Sequence, residues 1–510
     1  MYNNKDIDEN THLLRFKRDH SPSFTTTTTP TTRRLPHSAT LHDSIQETIS
    51  ILALAWPLLI TFVVGYGMKL VDVWFLGRLD TEVMAVVSLS NLWCTVGGFA
   101  MGNGLLTAID TLVAQAFTAA TNSTTLGIIL QRGLLIMACV AAPISILWMF
   151  AEPILVSIGQ EPDLAHLAQK YIYFCIPFVY MVFVSTAVRK FLQSLGKMRV
   201  TMFMCVSLFP LNYLSNLVWL KYMHLGYVGA AMHFATFHTM VFVVYMTFLL
   251  GGTKFVRSYW PGWSQQALHH WKPFLKLGIP GMLSVATDWA FEVCALLSGT
   301  LGKTSLAGQS IVLTINSLLL MIPSALSNAV LVRAGHHLGA GRSKQIRMCF
   351  VLSTTFGILL SLINAIGMYT FREWISSHFA IDPEVVQAAV DLFPVAACCH
   401  FFAGVSAIFS AMLTALGKQP VVASFNLGSY YAIGMPFGLW ITYTYDWGLE
   451  GIWSGVAVAG IIKCIGEGAM LLYYVDWEDE CQKVGRVIGS QEIPPTLKTI
   501  PITKNSNDTL

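Results

Sequence analysis

Pro280-Gly281-Met282-Leu283-Ser284-Val285-Ala286-Thr287-Asp288-Trp289-Ala290-Phe291-Glu292-Val293-Cys294-Ala295-Leu296-Leu297-Ser298-Gly299 is an apolar run with two carboxylates inside it. A helix needs about 20 such residues to cross the hydrocarbon core of a bilayer. Asp288 and Glu292 stand at i and i+4, so a helix places them on one face, one turn apart. A carboxylate at that depth costs several kcal/mol unless it faces a cavity, a partner or a proton. Two carboxylates side by side also raise the proton affinity of one of them, which suits a group that binds and releases a proton. The competing reading puts both acids at a helix end, paired to basic residues. Lys276 stands one turn before Pro280, too far along to neutralise Glu292.

Outward from this run the chain has the same character. Of its 510 residues 54% are hydrophobic and only 12% charged, about half the charge of a soluble protein. The expected fold class is therefore an all-α integral membrane protein. Spans are expected near 48–76, 83–116, 126–150, 166–188, 200–222, 225–250, 273–300, 304–332, 348–371, 385–415, 420–444 and 449–475, twelve transmembrane helices in all. The ten cysteines are scattered without CxxC or His/Cys metal spacing, and read as small buried hydrophobes.

The spans repeat. Ala55-Trp56-Pro57 ahead of Gly77 returns as Gly278-Ile279-Pro280 ahead of Gly299, and Leu195-Gly196-Lys197 returns as Leu416-Gly417-Lys418. Glu161-Pro162-Asp163 matches Asp382-Pro383-Glu384, and the offset holds between 221 and 223 residues along the chain. An even number of spans per half gives two parallel six-helix lobes related by a pseudo-two-fold axis along the membrane normal. The expected divisions are a disordered cytosolic tail at 1–45, an N-terminal lobe at 46–250, a cytosolic linker at 251–272, a C-terminal lobe at 273–475 and a polar C-terminal tail at 476–510.

Charge orients the bundle. Loops on the side of the termini hold Arg189, Lys190, Lys197, Arg199, Lys254, Arg257, Lys272, Lys276, Arg333, Arg342, Lys344, Arg347 and Lys418. The opposite loops hold only Arg78, Lys170, Lys221, Lys303 and Arg372 among many acids. The basic side is expected to be cytosolic, with both termini there. Two lobes around a cleft suit alternating access. No G-x-x-x-x-G-K-[ST] motif occurs, which leaves an ion gradient as the energy source. No H-E-x-x-H motif or Ser/Lys dyad occurs within the spans, so no enzyme activity is expected.

Several stretches resemble the multidrug and toxic compound extrusion family. They are Pro57 through Phe75-Leu76-Gly77-Arg78-Leu79; Ala108-Ile109-Asp110-Thr111-Leu112-Val113-Ala114-Gln115; Gln131-Arg132; Val332-Arg333-Ala334-Gly335-His336-His337-Leu338-Gly339-Ala340-Gly341; and Asn426-Leu427-Gly428-Ser429-Tyr430-Tyr431. The resemblance, to the eukaryotic type with fungal and plant members, implies a cation-coupled antiporter that expels organic compounds. It carries Asp288 and Glu292 over as the two helix-seven acids, one residue closer together than in eukaryotic members. The family's helix-ten acid is absent, with Ala403 in that region. A C-lobe site for substrate and proton is thus expected from Asp288, Glu292, Trp289, Thr314, Asn316, His400 and Tyr431. In the N-lobe, Asp72 resembles the Asp of prokaryotic members, and Asn212 and Asn216 fall where those proteins place an Asn and an Asp. These three can form an ion pocket; alternatively Lys69, at i−3 from Asp72, neutralises it in a buried salt bridge.

Smaller expectations follow from spacing. Asp110 reads as structural, Lys463 and Glu467 as an i,i+4 pair, Asp391 as a lining of the exit, and His336-His337 as a solvated loop pair. The expected function is export of cationic or amphipathic compounds from the cytosol in exchange for protons. The alternatives are a sodium-coupled antiporter, a flippase for lipid-linked substrates and, in another class, a multispan receptor. The expected partners are a small organic substrate and membrane lipid, with no nucleic acid. No cofactor beyond the coupling proton or sodium ion is expected. The chain is expected to act as a monomer in the plasma or vacuolar membrane.

Overall fold

Long apolar helices separated by short polar turns determine the architecture. The computed structural model describes residues 41–251, 258–260, 262–285 and 302–491, and from Ser44 onward they belong to one compact unit. The N-terminal lobe consists of α1 (Leu41–Leu76), α2 (Thr81–Ala119), α3 (Thr124–Met149), α4 (Pro162–Ser194), α5 (Met198–Tyr222) and α6 (Gly226–Leu250). The C-terminal lobe begins with α7 (Trp271–Val285) and continues with α8 (Thr304–Gly339), α9 (Ser343–Thr370) and α10 (Pro383–Ala415). Then come α11, whose parts Gln419–Leu427 and Met435–Thr444 flank a wide turn at Gly428–Gly434, and α12 (Gly448–Tyr474). Ten of these helices are long and apolar enough to cross a membrane. With α7 and α11 they make the twelve-helix, two-lobe architecture read from the repeat. Asp288, Trp289 and Glu292 lie outside the described residues.

Two helices pass closely at the seam between the lobes because glycines face each other. A Cβ on Gly104 of α2 would fall 2.5 Å from the Cα of Met282 in α7, and one on Gly281 would fall 2.6 Å from the carbonyl oxygen of Gly104. Small residues allow such backbone approach where no water drives helices together. Gly104→Val is expected to destabilise the protein by about 1–3 kcal/mol, the usual cost of overpacking, read as a lower melting temperature in detergent. An unchanged melt would mean that the seam is loose.

The polar stretch after α12 is more than a tail. Trp477, Cys481, Val484 and Ile488 recur at helical spacing, and Trp477–Gln491 forms a further helix, α13. Cys481, Val484 and Ile488 are buried, and Trp477 lies with its ring centre 5.6 Å from that of Phe350 in α9. Lys418, between α10 and α11, pairs with Glu480 at 3.0 Å. On the open face of α13 the Lys483 ammonium hydrogen-bonds Asp479 at 2.6 Å and holds that carboxyl below the ordinary carboxylate range. Behind the acid-rich opening of this segment, the apolar stripe has the α2, α8 and α9 surface to cover.

Candidate functional site: a polar cavity in the N-terminal lobe

The lobes are bonded to each other at the basic end of the bundle. The Thr111 hydroxyl donates to the carbonyl of Thr414 at 2.8 Å, Gln115 Nε2 to Ala415 at 2.7 Å, and Thr118 to the carbonyl of His336 at 2.7 Å. Gln419 Nε2 donates to the Thr111 hydroxyl at 2.7 Å. Near them Glu47 of α1 is 4% exposed and accepts from Arg333 Nε at 2.9 Å, Arg333 Nη2 at 2.7 Å and His337 Nε2 at 3.0 Å. The His336-His337 pair is therefore not a solvated loop. Both residues lie in the last turn of α8, His337 is buried on Glu47, and His336 Nε2 is 2.9 Å from the Ser194 carbonyl. The helix continues past the hydrocarbon and finds partners there.

From residue 47 to residue 72, α1 rises roughly 37 Å at 1.5 Å per residue, which takes Asp72 to the far side of the molecule. There a cavity of about 730 Å³ opens in the N-terminal lobe, lined by Tyr66, Lys69, Asp72, Tyr171, Arg189, His233 and others, with Ser317 and Met321 contributed by α8. Asp72 Oδ1 accepts from Asn212 Nδ2 at 3.0 Å and from Asn216 Nδ2 at 2.7 Å. The structure brings these three expected residues together because Asn212 and Asn216 stand one turn apart on α5, both aimed at α1.

Lys69 lines the same cavity but forms no ion pair with Asp72 among the described residues. The neighbour of Asp72 is instead the imidazole of His233 of α6, whose Nε2 lies 3.3 Å from Oδ1. His233 Nδ1 is 3.0 Å from the Ser215 hydroxyl, an arrangement in which Ser215 donates to Nδ1 and Nε2–H points at Asp72. Sequence reasoning passed over His233. An ionisable residue inside a span is itself a signal of function, and both His233 and His238 of α6 carry that signal.

The C-terminal lobe holds a second buried polar cluster. His400 is 0% exposed; its Nδ1 lies 2.9 Å from Asn316 Oδ1, and its Nε2 3.3 Å from Asn364 Nδ2. A proton on Nδ1 satisfies both contacts with a neutral ring. Asn316 and His400 are thus brought together as expected, and Asn364 of α9 is the member that spacing could not reveal. Thr314 is not in the cluster: its hydroxyl donates to the Ser310 carbonyl of its own helix at 2.8 Å. Tyr431 is half-buried against the core of this lobe.

The remaining expectations divide. Asp110 pairs with Lys190 of α4. Glu467 is fully buried and takes its hydrogen bonds from Ser406 at 3.0 Å and Ser410 at 2.9 Å, both on α10, with no ion pair to Lys463 among the described residues. Two hydroxyls from the packed neighbour displace the i,i+4 ammonium. Asp391 is exposed and accepts from Gln387 Nε2 at 2.8 Å, bonded to its own helix.

Paired six-helix lobes joined at one end, with buried polar clusters facing the interior, define a two-lobe membrane transporter. The family model MatE matches residues 57–218 and 280–440. The chain belongs to this family, the multidrug and toxic compound extrusion transporters. It is 32% identical over 444 residues to an uncharacterized transporter of Schizosaccharomyces pombe, covering 86% of this chain and 82% of that one. It is 27% identical over 467 residues to multidrug and toxin extrusion protein 1 of Homo sapiens, covering 91% and 80% of the two chains. The fold matches the eukaryotic MATE transporter AtDTX14 with a TM-score of 0.81 at 23% identity, covering 87% of this chain and 99% of that one. It also matches the bent form of the Vibrio cholerae MATE transporter VcmN with a TM-score of 0.73 at 18% identity, covering 88% and 99%.

Proposed function

We propose that this transporter exports small organic compounds from the cytosol by proton-coupled alternating access, acting as a monomer with its basic end in the cytosol. The observation that carries the reading is the pairing of a seam bonded at the basic end with a cavity further along, one that holds Asp72 among Asn212, Asn216 and His233. Because the lobes are bonded to each other at the basic end, we read this form as the one poised for release outward. A proton added to the Asp72–His233 pair changes the charge that holds the surrounding amides, and with it the packing of α1 against α5 and α6. The helix-seven acids Asp288 and Glu292 form the C-lobe half of the device, where proton and cationic substrate compete for the same charge. The name of the human relative, a multidrug and toxin extrusion protein, supports this substrate class. The plasma or vacuolar membrane is the proposed location.

Sodium coupling has one observation in its favour. The amide oxygens of Asn212 and Asn216 are buried without a hydrogen-bond partner. Amide orientation is an assignment from the hydrogen-bond network, and turning both amides would surround Asp72 with the oxygen ligands that a hard cation takes. Proteoliposomes under separately imposed proton and sodium gradients distinguish the two ions. In the same vesicles, Asp288→Asn combined with Glu292→Gln is expected to reduce proton-driven uphill uptake to the protein-free leak. Uptake retained by that variant would remove both acids from the mechanism.

A further inference from the structure

The helix α13 touches both lobes at the basic end. It follows α12 and packs on α8 and α9 of the C-terminal lobe and on α2 of the N-terminal lobe. Glu480 adds a charged contact at a particular place. Its carboxylate lies 3.0 Å from Lys418 Nζ, with the two side chains only 10% and 22% exposed, so the pair outweighs one in open solvent. Lys418 belongs to the turn between α10 and α11, and the seam is built on that turn. The carbonyls of Thr414 and Ala415 accept from Thr111 and Gln115 of α2, and Gln419 Nε2 donates to Thr111. One helix thus grips the turn that carries the seam bonds and also leans on the helix that reaches them. The internal repeat places a second contact opposite: His336 and Ser194 stand where Gln115 and Ala415 stand in the other half, and His336 Nε2 lies 2.9 Å from the Ser194 carbonyl.

Resting on the alternating-access reading above, we infer that α13 is a strap across the basic end: carried by the C-terminal lobe, it lies on α2 while that end is shut, and Glu480 clasps the Lys418 turn in register for Thr111 and Gln115. Opening at the basic end separates the lobes, so a helix that touches both gives up one contact. The contact with α2 is the one that yields, because α13 is continuous with α12, is clasped to Lys418 and packs Trp477 against Phe350 of α9. The C-terminal segment thereby sets how readily the basic end opens, alongside the Glu47 tie on α1.

Amide hydrogen exchange of the full chain in detergent, read by mass spectrometry, tests this without a substrate. Glu480→Lys and Lys418→Glu each set like charges together, and the two combined restore an attracting pair while Lys483 keeps Asp479. Each single reversal is expected to speed exchange about tenfold in residues 107–119 of α2 and in the remote seam turn 191–197, and the combined variant to return both to near the wild-type rate. A helix that only docks on its own lobe would loosen itself and the Lys418 turn. Faster exchange confined to 477–491 and 415–419, with 191–197 at the wild-type rate, therefore overturns the strap. A combined variant that exchanges as fast as the single ones overturns the clasp. Glu480→Gln, which removes the attraction without adding repulsion, gives the same comparison where a reversal fails to fold. Uptake of rhodamine 6G into proteoliposomes under a proton gradient is measured alongside. If the wild-type protein moves no dye under any gradient, the transport reading falls, and the exchange pattern still decides whether α13 holds the basic end shut.

Discussion

Glu47→Gln is expected to lower the stability of the protein by about 3–5 kcal/mol, the usual cost of removing one partner from a buried ion pair. Glu47 is 4% exposed and receives three hydrogen bonds, two from Arg333 and one from His337. The amide keeps the shape of the carboxylate, so the loss reports charge rather than volume. Arg333 is then left with a poorly compensated guanidinium. Because Glu47 belongs to α1 and its partners to α8, the contact ties the two lobes at the basic end. The same substitution should therefore shift the balance between the form closed at that end and the form open there, by about a hundredfold for each 2.7 kcal/mol. Melting in detergent measures the first effect. A double-mutant cycle with Arg333→Gln isolates the pair. Additive losses in that cycle would mean that Glu47 and Arg333 act independently.

Asp72→Asn is expected to reduce gradient-driven transport by at least about tenfold, the effect of losing roughly 1.4 kcal/mol or more of coupling free energy. The substitution removes the one carboxylate among Asn212, Asn216 and His233 while leaving the cavity volume nearly unchanged. It also turns an acceptor-only group into one that presents N–H to existing donors, with a stability cost of about 1.5–3 kcal/mol for lost hydrogen bonds to a charged group. The two effects are separated by comparing transport with melting temperature. His233→Gln keeps a polar partner for Asp72 but removes the imidazole, and is expected to lower gradient-driven transport in the same assay. Asp72→Asn protein that melts lower but transports at the wild-type rate would make the carboxylate structural.

Much of this organisation is legible in the linear chain, and for a physical reason. A bilayer demands about 20 apolar residues per crossing, so helices and their number follow from local composition. Repeated motifs then require two lobes, because each half carries the same set of spans. Asn212 and Asn216 were readable as a unit since one turn of helix separates them, and Asp72 was readable as the carboxylate they would meet through the family resemblance.

Partners were not readable in the same way. Spacing offered Lys69 to Asp72 and Lys463 to Glu467, both correct statements about neighbours on one helix. The folded protein gives those acids His233 and the Ser406 and Ser410 hydroxyls, each from a different helix. Likewise Glu47, to which spacing assigned no role, and His337, read as solvated, meet only because α1 and α8 cross at the seam. The apolar stripe of Trp477, Cys481, Val484 and Ile488 is present in the residues, but the surface it covers exists only after three other helices have packed. Hydropathy and repeat alone determined how many helices there are and how the lobes divide, because each residue pays its transfer energy to the bilayer locally. Which buried charge meets which donor was decided by tertiary structure, because that choice depends on helices brought side by side from distant parts of the chain.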